Sequence, residues 1–139
     1  MGGCIFCAIV AGTSPSERVY EDDDAIAFLD IAQATEGHTL VIPREHCVDL
    51  TDIGADRAAA VMRAALQVAD ILRSALEPAG MNLFHASGAA AWQSVYHFHI
   101  HLVPRYSFTE LNLPWIPMHK PVDALAPLGA RIRAAAGIG

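Results

Sequence analysis

This chain is poor in several things that would each open a function class. It holds no run of about 18 apolar residues, the length at which a helix crosses a bilayer, so no membrane span is predicted. Its start, Met1-Gly2-Gly3-Cys4, has no basic stretch followed by an apolar one and predicts no secretory leader. Gly2 stands where a myristoyl chain is added, yet Phe6 fills the position that wants Ser or Thr. Basic side chains are outnumbered, 9 Lys and Arg against 15 Asp and Glu, for a formal net charge of −6. A general nucleic-acid binder draws its affinity from cations meeting phosphates, so that class is disfavoured. A small nucleotide held by backbone amides and neutral side chains stays open. Cysteine stops at three, an odd number that suits metal ligands or free thiols in a cytoplasmic protein better than a disulfide frame. No internal repeat or low-complexity tract is present.

What is there is enough apolar material for a core. Hydrophobic residues make up 53% of the 139 and charged residues 17%, which predicts one globular domain over 1–139. Val19-Tyr20 and Ala25–Asp30 read as the strands of a hairpin around a tight turn at Glu21-Asp22-Asp23-Asp24. Residues 31–37 read as a loop. His38–Ile42 is a β-branched strand ended by Pro43. Residues 54–77 carry a helical stripe of Ala58, Val61, Met62, Ala65, Leu66, Ala69, Leu72 and Leu76, read as core or dimer interface. Asp52 or Thr51 is expected to cap its start, and Pro78 with Gly80 marks its end. Met81–His85 is a further strand. Residues 105–120 read as a loop and 124–136 as a short C-terminal helix. This order predicts an α+β fold with a mostly antiparallel sheet.

The most informative stretch is His97-Phe98-His99-Ile100-His101-Leu102-Val103. As a strand over 95–103, ended by Pro104, it places Val95, His97, His99, His101 and Val103 on one face and Tyr96, Phe98, Ile100 and Leu102 on the other. Same-face neighbours then lie roughly 6.6–6.8 Å apart, so His97 and His101 are about 13 Å apart and all three cannot share one metal. The row must divide its labour. In one consistent division, His99 is a nucleophile that attacks phosphorus, its other ring nitrogen fixed by a backbone carbonyl. His101 and Ser94 then donate to phosphate oxygens or the leaving group, and Gln93 does the same or orients the attacking water.

With Gln93-Ser94-Val95 before it and Pro104-Arg105 after it, this stretch resembles the histidine triad (HIT) motif. Cys4-Ile5-Phe6-Cys7, Phe28-Leu29-Asp30-Ile31 and His38–His46 extend the resemblance in the family's order. The lead-in Gln93-Ser94-Val95-Tyr96 is more similar to the purine nucleoside phosphoramidase branch than to the dinucleotide hydrolases. The resemblance implies a HIT-like fold, usually homodimeric with the two sheets joined. It implies transfer or hydrolysis at the α-phosphate of a purine nucleotide, nucleoside phosphoramidate or dinucleotide, through a nucleotidyl-His99, with no organic cofactor. Asp30 matches the carboxylate that accepts from ribose hydroxyls. Ile5, Phe6, Phe28 and Ile31 match the apolar slot around the base, and His38 matches a position near the active site. Two departures stand out: Trp92 replaces a glycine before the glutamine, and Ala86 replaces an asparagine.

Cys4 and Cys7 have metal-ligand spacing, though a redox couple or two small buried residues share that spacing. Zinc needs two more ligands, for which His46 and His97 are candidates and Cys47 a competitor. Family members with this Cys-x-x-Cys bind a structural zinc through these four positions. The resemblance therefore implies one zinc per chain on Cys4, Cys7, His46 and His97, with Cys47 a buried thiol. A four-ligand zinc has no open position and acts in folding. His85 and His119 read as ordinary residues, and Arg44 and Arg105 as surface residues or electrostatic helpers. Trp115 reads equally as reaching a partner's pocket or covering its own core. The competing functions are a metal-dependent hydrolase using His97 and His99, and a nucleotide-binding regulator with little catalysis.

Overall fold

The structure is a computed structural model and describes residues 3–138. The chain runs α1 (Ile5–Ala11), β1 (Arg18–Glu21), β2 (Ala25–Leu29), β3 (Thr39–Pro43), α2 (Ala55–Leu76), β4 (Gly80–Phe84), β5 (Ile100–Arg105) and α3 (Ala126–Ala136). Single 3₁₀ turns lie at Ala89–Ala91 and Val122–Leu125. The five strands form one sheet in the order β1-β2-β3-β5-β4, and each neighbouring pair is antiparallel. The α+β class with its antiparallel sheet, long helix and short C-terminal helix is as the sequence predicts. The seven-residue α1 escaped prediction because it carries too few turns to show a period.

Alternation in the strands sorts two cores. Ala25, Ala27, Val41, Ile100 and Leu102 turn to one face and pack with Val61, Ala64, Val68 and Leu72 of α2. Ile26, Phe28, Leu40 and Ile42 turn to the other and pack with Phe6 and Ile9 of α1. The buried line of α2 is rotated from the expected stripe: Ala60, Val61, Ala64, Ala65, Val68 and Leu72 are inside, whereas Met62 and Leu66 are exposed. Alanine at 60 and 64 lets the helix axis come close to the sheet, which decides the rotation. The expected cap also differs. Gly54 precedes α2 with no side-chain cap, because Asp52 turns back to accept from the backbone N–H groups of Val48 and Asp49.

The histidine strand is shorter than expected. β5 begins at Ile100, so His97 and His99 lie in irregular chain just before it. There the ladder is replaced by other bonds: Phe98 N–H donates to the Cys47 carbonyl at 2.7 Å and Gln93 Nε2 to the Val95 carbonyl at 3.1 Å. The alternation of faces survives, with Phe98, Ile100 and Leu102 in the α2 core and His97 and His99 against Phe6. Pro104 does not stop the strand. It pairs with Met81 of β4, and the β3 ladder has already ended at Leu102, so no β3 carbonyl needs its missing N–H.

Arg105 fixes the exit from the sheet by donating to Asn82 Oδ1 and Glu110 Oε1, both at 2.8 Å. Beyond it runs an exposed arm carrying Phe108, Leu113, Trp115, Ile116, Met118 and Ile132 on its surface. Trp115 is 62% exposed and so does not cover the core of its own domain.

Candidate functional site

The row of histidines lies on the α1 side of the sheet. His97 and His99 are buried and edge-on to Phe6, with ring centroids 5.9 and 5.2 Å away. The His99 Nδ1–H donates to the His97 carbonyl at 2.8 Å, which is possible only if Nδ1 carries the ring proton. Nε2 is then a bare lone pair. Burial pushes the His99 pKa below its ordinary value, against the pull of that carbonyl, and keeps the ring neutral.

A second chain of hydrogen bonds runs through His38 and His101. The Ala34 N–H donates to His38 Nδ1 at 3.0 Å, so the His38 proton sits on Nε2. His38 Nε2 lies 2.9 Å from His101 Nδ1 and donates to it, with Asp30 Oδ2 a further 3.6 Å neighbour. His101 Nδ1 is thereby the acceptor and its Nε2 carries the proton. Burial, with His99 and His38 beside it, pushes the His101 pKa down to about 4. Burial also lowers His38, and Asp30 opposes it. Asp30, His38 and His101 bring three ligand-type atoms within 4.8 Å of one another. The proton that Ala34 forces onto His38 Nε2 occupies the lone pair a metal would need, so the cluster reads as a donor chain.

The other expected residues divide. Phe28 is buried against Phe6, centroids 5.4 Å apart. Asp30 and His38 join the site at the end of β2 and the start of β3, whereas Ile31 is fully exposed at 104% and Ile5 half exposed at 49%. Ser94 is exposed and lines a cavity of about 410 Å³ with Cys4, Ile5, His46, Val95 and Tyr96. Gln93 departs from expectation. It is buried, its Nε2 donates to the Val48 and Val95 carbonyls, and its Oε1 accepts from Gly88 N–H at 2.7 Å. Both its N–H groups are taken by backbone carbonyls, so it braces the loop. Trp92 adopts φ of 72°, left-handed backbone, which is the physical reason a glycine suits that place.

Several partners of the site are backbone groups that no motif reveals: the Ala34 N–H and the carbonyls of His97 and Pro43. One missed side chain is His85. Its Nδ1 lies 2.9 Å from the His99 carbonyl and its Nε2 2.7 Å from Ser87 Oγ. A histidine closing a strand just before a Ser-Gly pair was the only signal for it.

The metal candidates do converge. Cys4, Cys7, His46 and His97 place one ligand atom each within 4.8 Å of all the others. His97 Nδ1 lies 3.2 Å from His46 Nδ1, 3.5 Å from Cys4 Sγ and 3.6 Å from Cys7 Sγ, and Cys7 Sγ lies 3.3 Å from His46 Nδ1. A tetrahedron with Zn–S of about 2.3 Å and Zn–N of about 2.0–2.1 Å has N···N edges of about 3.3 Å and S···N edges of about 3.6 Å. The His97 Nε2–H donates to the Pro43 carbonyl at 2.8 Å, which leaves the Nδ1 lone pair facing the thiols. The donor set therefore fits zinc. Cys47 is buried outside it.

A family model described as the HIT domain matches residues 11–108. "Protein hit" of Bacillus subtilis is 46% identical over 103 residues, covering 74% of this chain and 71% of that protein. A zinc-bound histidine triad family protein from Mycobacterium smegmatis superposes with a TM-score of 0.76 at 38% identity, covering 93% and 97% of the two chains. A histidine triad nucleotide-binding protein from Candida albicans superposes with a TM-score of 0.86 at 28% identity, covering 97% and 98%.

Proposed function

The chain belongs to the HIT family, and on that premise we propose that it is a nucleotide hydrolase or transferase acting at an α-phosphate through His99. The observation that carries this reading is the hydrogen bond from His99 Nδ1–H to the His97 carbonyl, which leaves Nε2 neutral and unprotonated. In the first step the Nε2 lone pair forms a P–N bond as the bond from phosphorus to the leaving group breaks. The leaving group keeps that electron pair and takes a proton from solvent. In the second step water adds to phosphorus, the P–N bond breaks, and one water proton returns to solvent. The His101 Nε2–H, held forward by His38, donates to the phosphate oxygens as charge grows on them. Splitting one displacement in two is what a neutral imidazole nucleophile contributes.

Asp30 would accept from ribose hydroxyls, and the exposed Ile5 and Ile31, with the buried Phe6–Phe28 pair beside His99, would make the apolar slot for a purine base. The substrate class we favour is a nucleoside phosphoramidate or dinucleotide. Cys4, Cys7, His46 and His97 would hold a structural zinc whose four protein ligands fill its coordination, so it supplies folding energy. None of the three cysteines is in a disulfide, which suits a cytoplasmic protein. We also propose a homodimer. β4 lies at the sheet edge with Leu83 and Phe84 exposed, a template for a second copy.

An adenosine phosphoramidate tests the assignment. His99→Ala is expected to lower turnover by a factor on the order of 10³ or more with the protein still folded. Turnover like that of the wild type in this variant would sink the assignment. Tight nucleotide binding with no product and no trapped adduct would favour a binding protein with little catalysis. Activity lost on metal removal without unfolding would favour a metal-dependent hydrolase.

A further inference from the structure

Both ladders that hold β5 end before the nucleophile. On the β3 side the last pair is Val41↔Ile100, and on the β4 side it is Phe84↔His101. The His99 peptide therefore lies outside the sheet, where its orientation is not set by strand pairing. Its carbonyl is met instead by a side chain: His85 Nδ1 at 2.9 Å. A carbonyl only accepts, so Nδ1 carries the His85 proton and Nε2 is bare. Nε2 faces Ser87 Oγ at 2.7 Å, and Ser87 Oγ accepts from the Leu50 N–H at 3.0 Å. Every donor in this chain points one way, from Leu50 through Ser87 and His85 to His99. The imidazole is also stacked on Phe98, centroids 4.3 Å apart and planes 22° apart. The far end is anchored too, since Gln93 Nε2 holds the Val48 carbonyl of the same loop.

We propose that His85 is a positioning residue for His99, its imidazole standing in for the missing strand partner of the His99 carbonyl, with Ser87 fixing its tautomer. This rests on the nucleophile reading given above. His99 is then held from two sides, its ring by the His97 carbonyl and its peptide by His85. A nucleophile displaced by about 1 Å loses on the order of 100-fold in rate, and a loose peptide permits such displacement.

Two substitutions separate the hydrogen bond from the packing. His85→Phe keeps a ring on Phe98 and removes the donor. His85→Asn removes the ring and keeps an N–H the same number of bonds from the backbone. With an adenosine phosphoramidate, His85→Phe is expected to lower kcat by about 10- to 100-fold with KM within about threefold, and with a melting temperature near that of the wild type. His85→Asn is expected to recover most of kcat. Equal kcat in His85→Phe and wild type overturns the proposal, as does an asparagine variant no better than the phenylalanine one. Should His85→Phe fail to fold, Ser87→Ala is read in its place, expected to lower kcat at constant KM; an unchanged kcat overturns the proposal. Nitrogen-15 spectra of the His99 ring give a readout apart from turnover: one sharp Nδ1–H tautomer in the wild type, and exchange broadening in His85→Phe. A wild type that forms no His99 adduct sinks the nucleophile reading instead. The His99 spectra then decide the positioning of this ring by themselves, unchanged spectra in His85→Phe overturning it.

Discussion

Histidine at 101 is the residue whose protonation the fold changes most clearly. Burial and its two histidine neighbours hold it neutral down to about pH 4, whereas an unfolded chain titrates it near pH 6.5. Between those values the unfolded chain binds more protons, so stability is full above about pH 6.5 and falls as pH drops towards 4. The shift alone corresponds to roughly 3 kcal/mol, and to roughly 1–2 kcal/mol once solvent screening of this half-buried ring is allowed for. The lowered values of His38, His97 and His99 act in the same direction. Urea unfolding midpoints at pH 7.5 and 4.5 are expected to differ in that sense, and His101→Gln to reduce the difference. A flat profile would contradict the neutral row. Residue identities at this scale were legible in the sequence to the extent that side chains carry them. His97, His99 and His101 announced themselves by alternation, and Cys4 and Cys7 by spacing. The bracing of the loop by Gln93 was not legible. An amide that bonds phosphate and an amide that bonds three backbone groups look alike until the loop closes around them.

At the scale of elements, the loop before β3 sets His38 in place and depends on Gly37. Its φ is +92°, and a Cβ there would collide with Leu76 Cδ1 of α2 and press on Pro104 of β5. Gly37→Ala is expected to destabilise the protein by about 2 kcal/mol or more, through left-handed strain and the collision together. It should also lower activity, because His38 follows directly and positions His101. Chemical denaturation and phosphoramidate turnover measure the two effects; a variant as stable as wild type would show that α2 yields. Helix α1 makes a different case. Seven residues are too few to hold a helix in water, and Cys4 caps this one by accepting the Cys7 N–H at 3.3 Å. Chelation, or Cys7→Ser, is expected to reduce zinc from about one per chain, to lower the melting temperature by several degrees and to loosen α1 first. Metal analysis with thermal unfolding checks this, and carefully purified protein without zinc would end the proposal. Sequence period revealed α2 and the hairpin well. It placed Ala58, Val61, Ala65, Ala69, Leu72 and Leu76 against the core and missed Ala60, Ala64 and Val68, because small residues give no hint of which side the sheet lies on.

For the whole molecule, the apolar arm beyond Arg105 and the free edge of β4 are surfaces that a lone chain leaves in water. Sedimentation at micromolar concentration is expected to give a dimer, and a chain cut after Ser107 to dissociate more readily while its sheet stays folded. A monomer at all concentrations would refute the dimer. The order of the strands has its own consequence in time. β5 is the last strand made, yet it takes the place between β3 and β4. The cluster around His97 likewise joins it to Cys4, 93 residues earlier. As the chain emerges from synthesis, the sheet must stay open at its middle, and Cys4 and Cys7 at the start of α1 must wait for His97, until the histidine segment arrives. The same short segment that carries the proposed nucleophile is therefore the keystone of assembly, and a chain that has not yet closed has neither His99 in place nor a finished core.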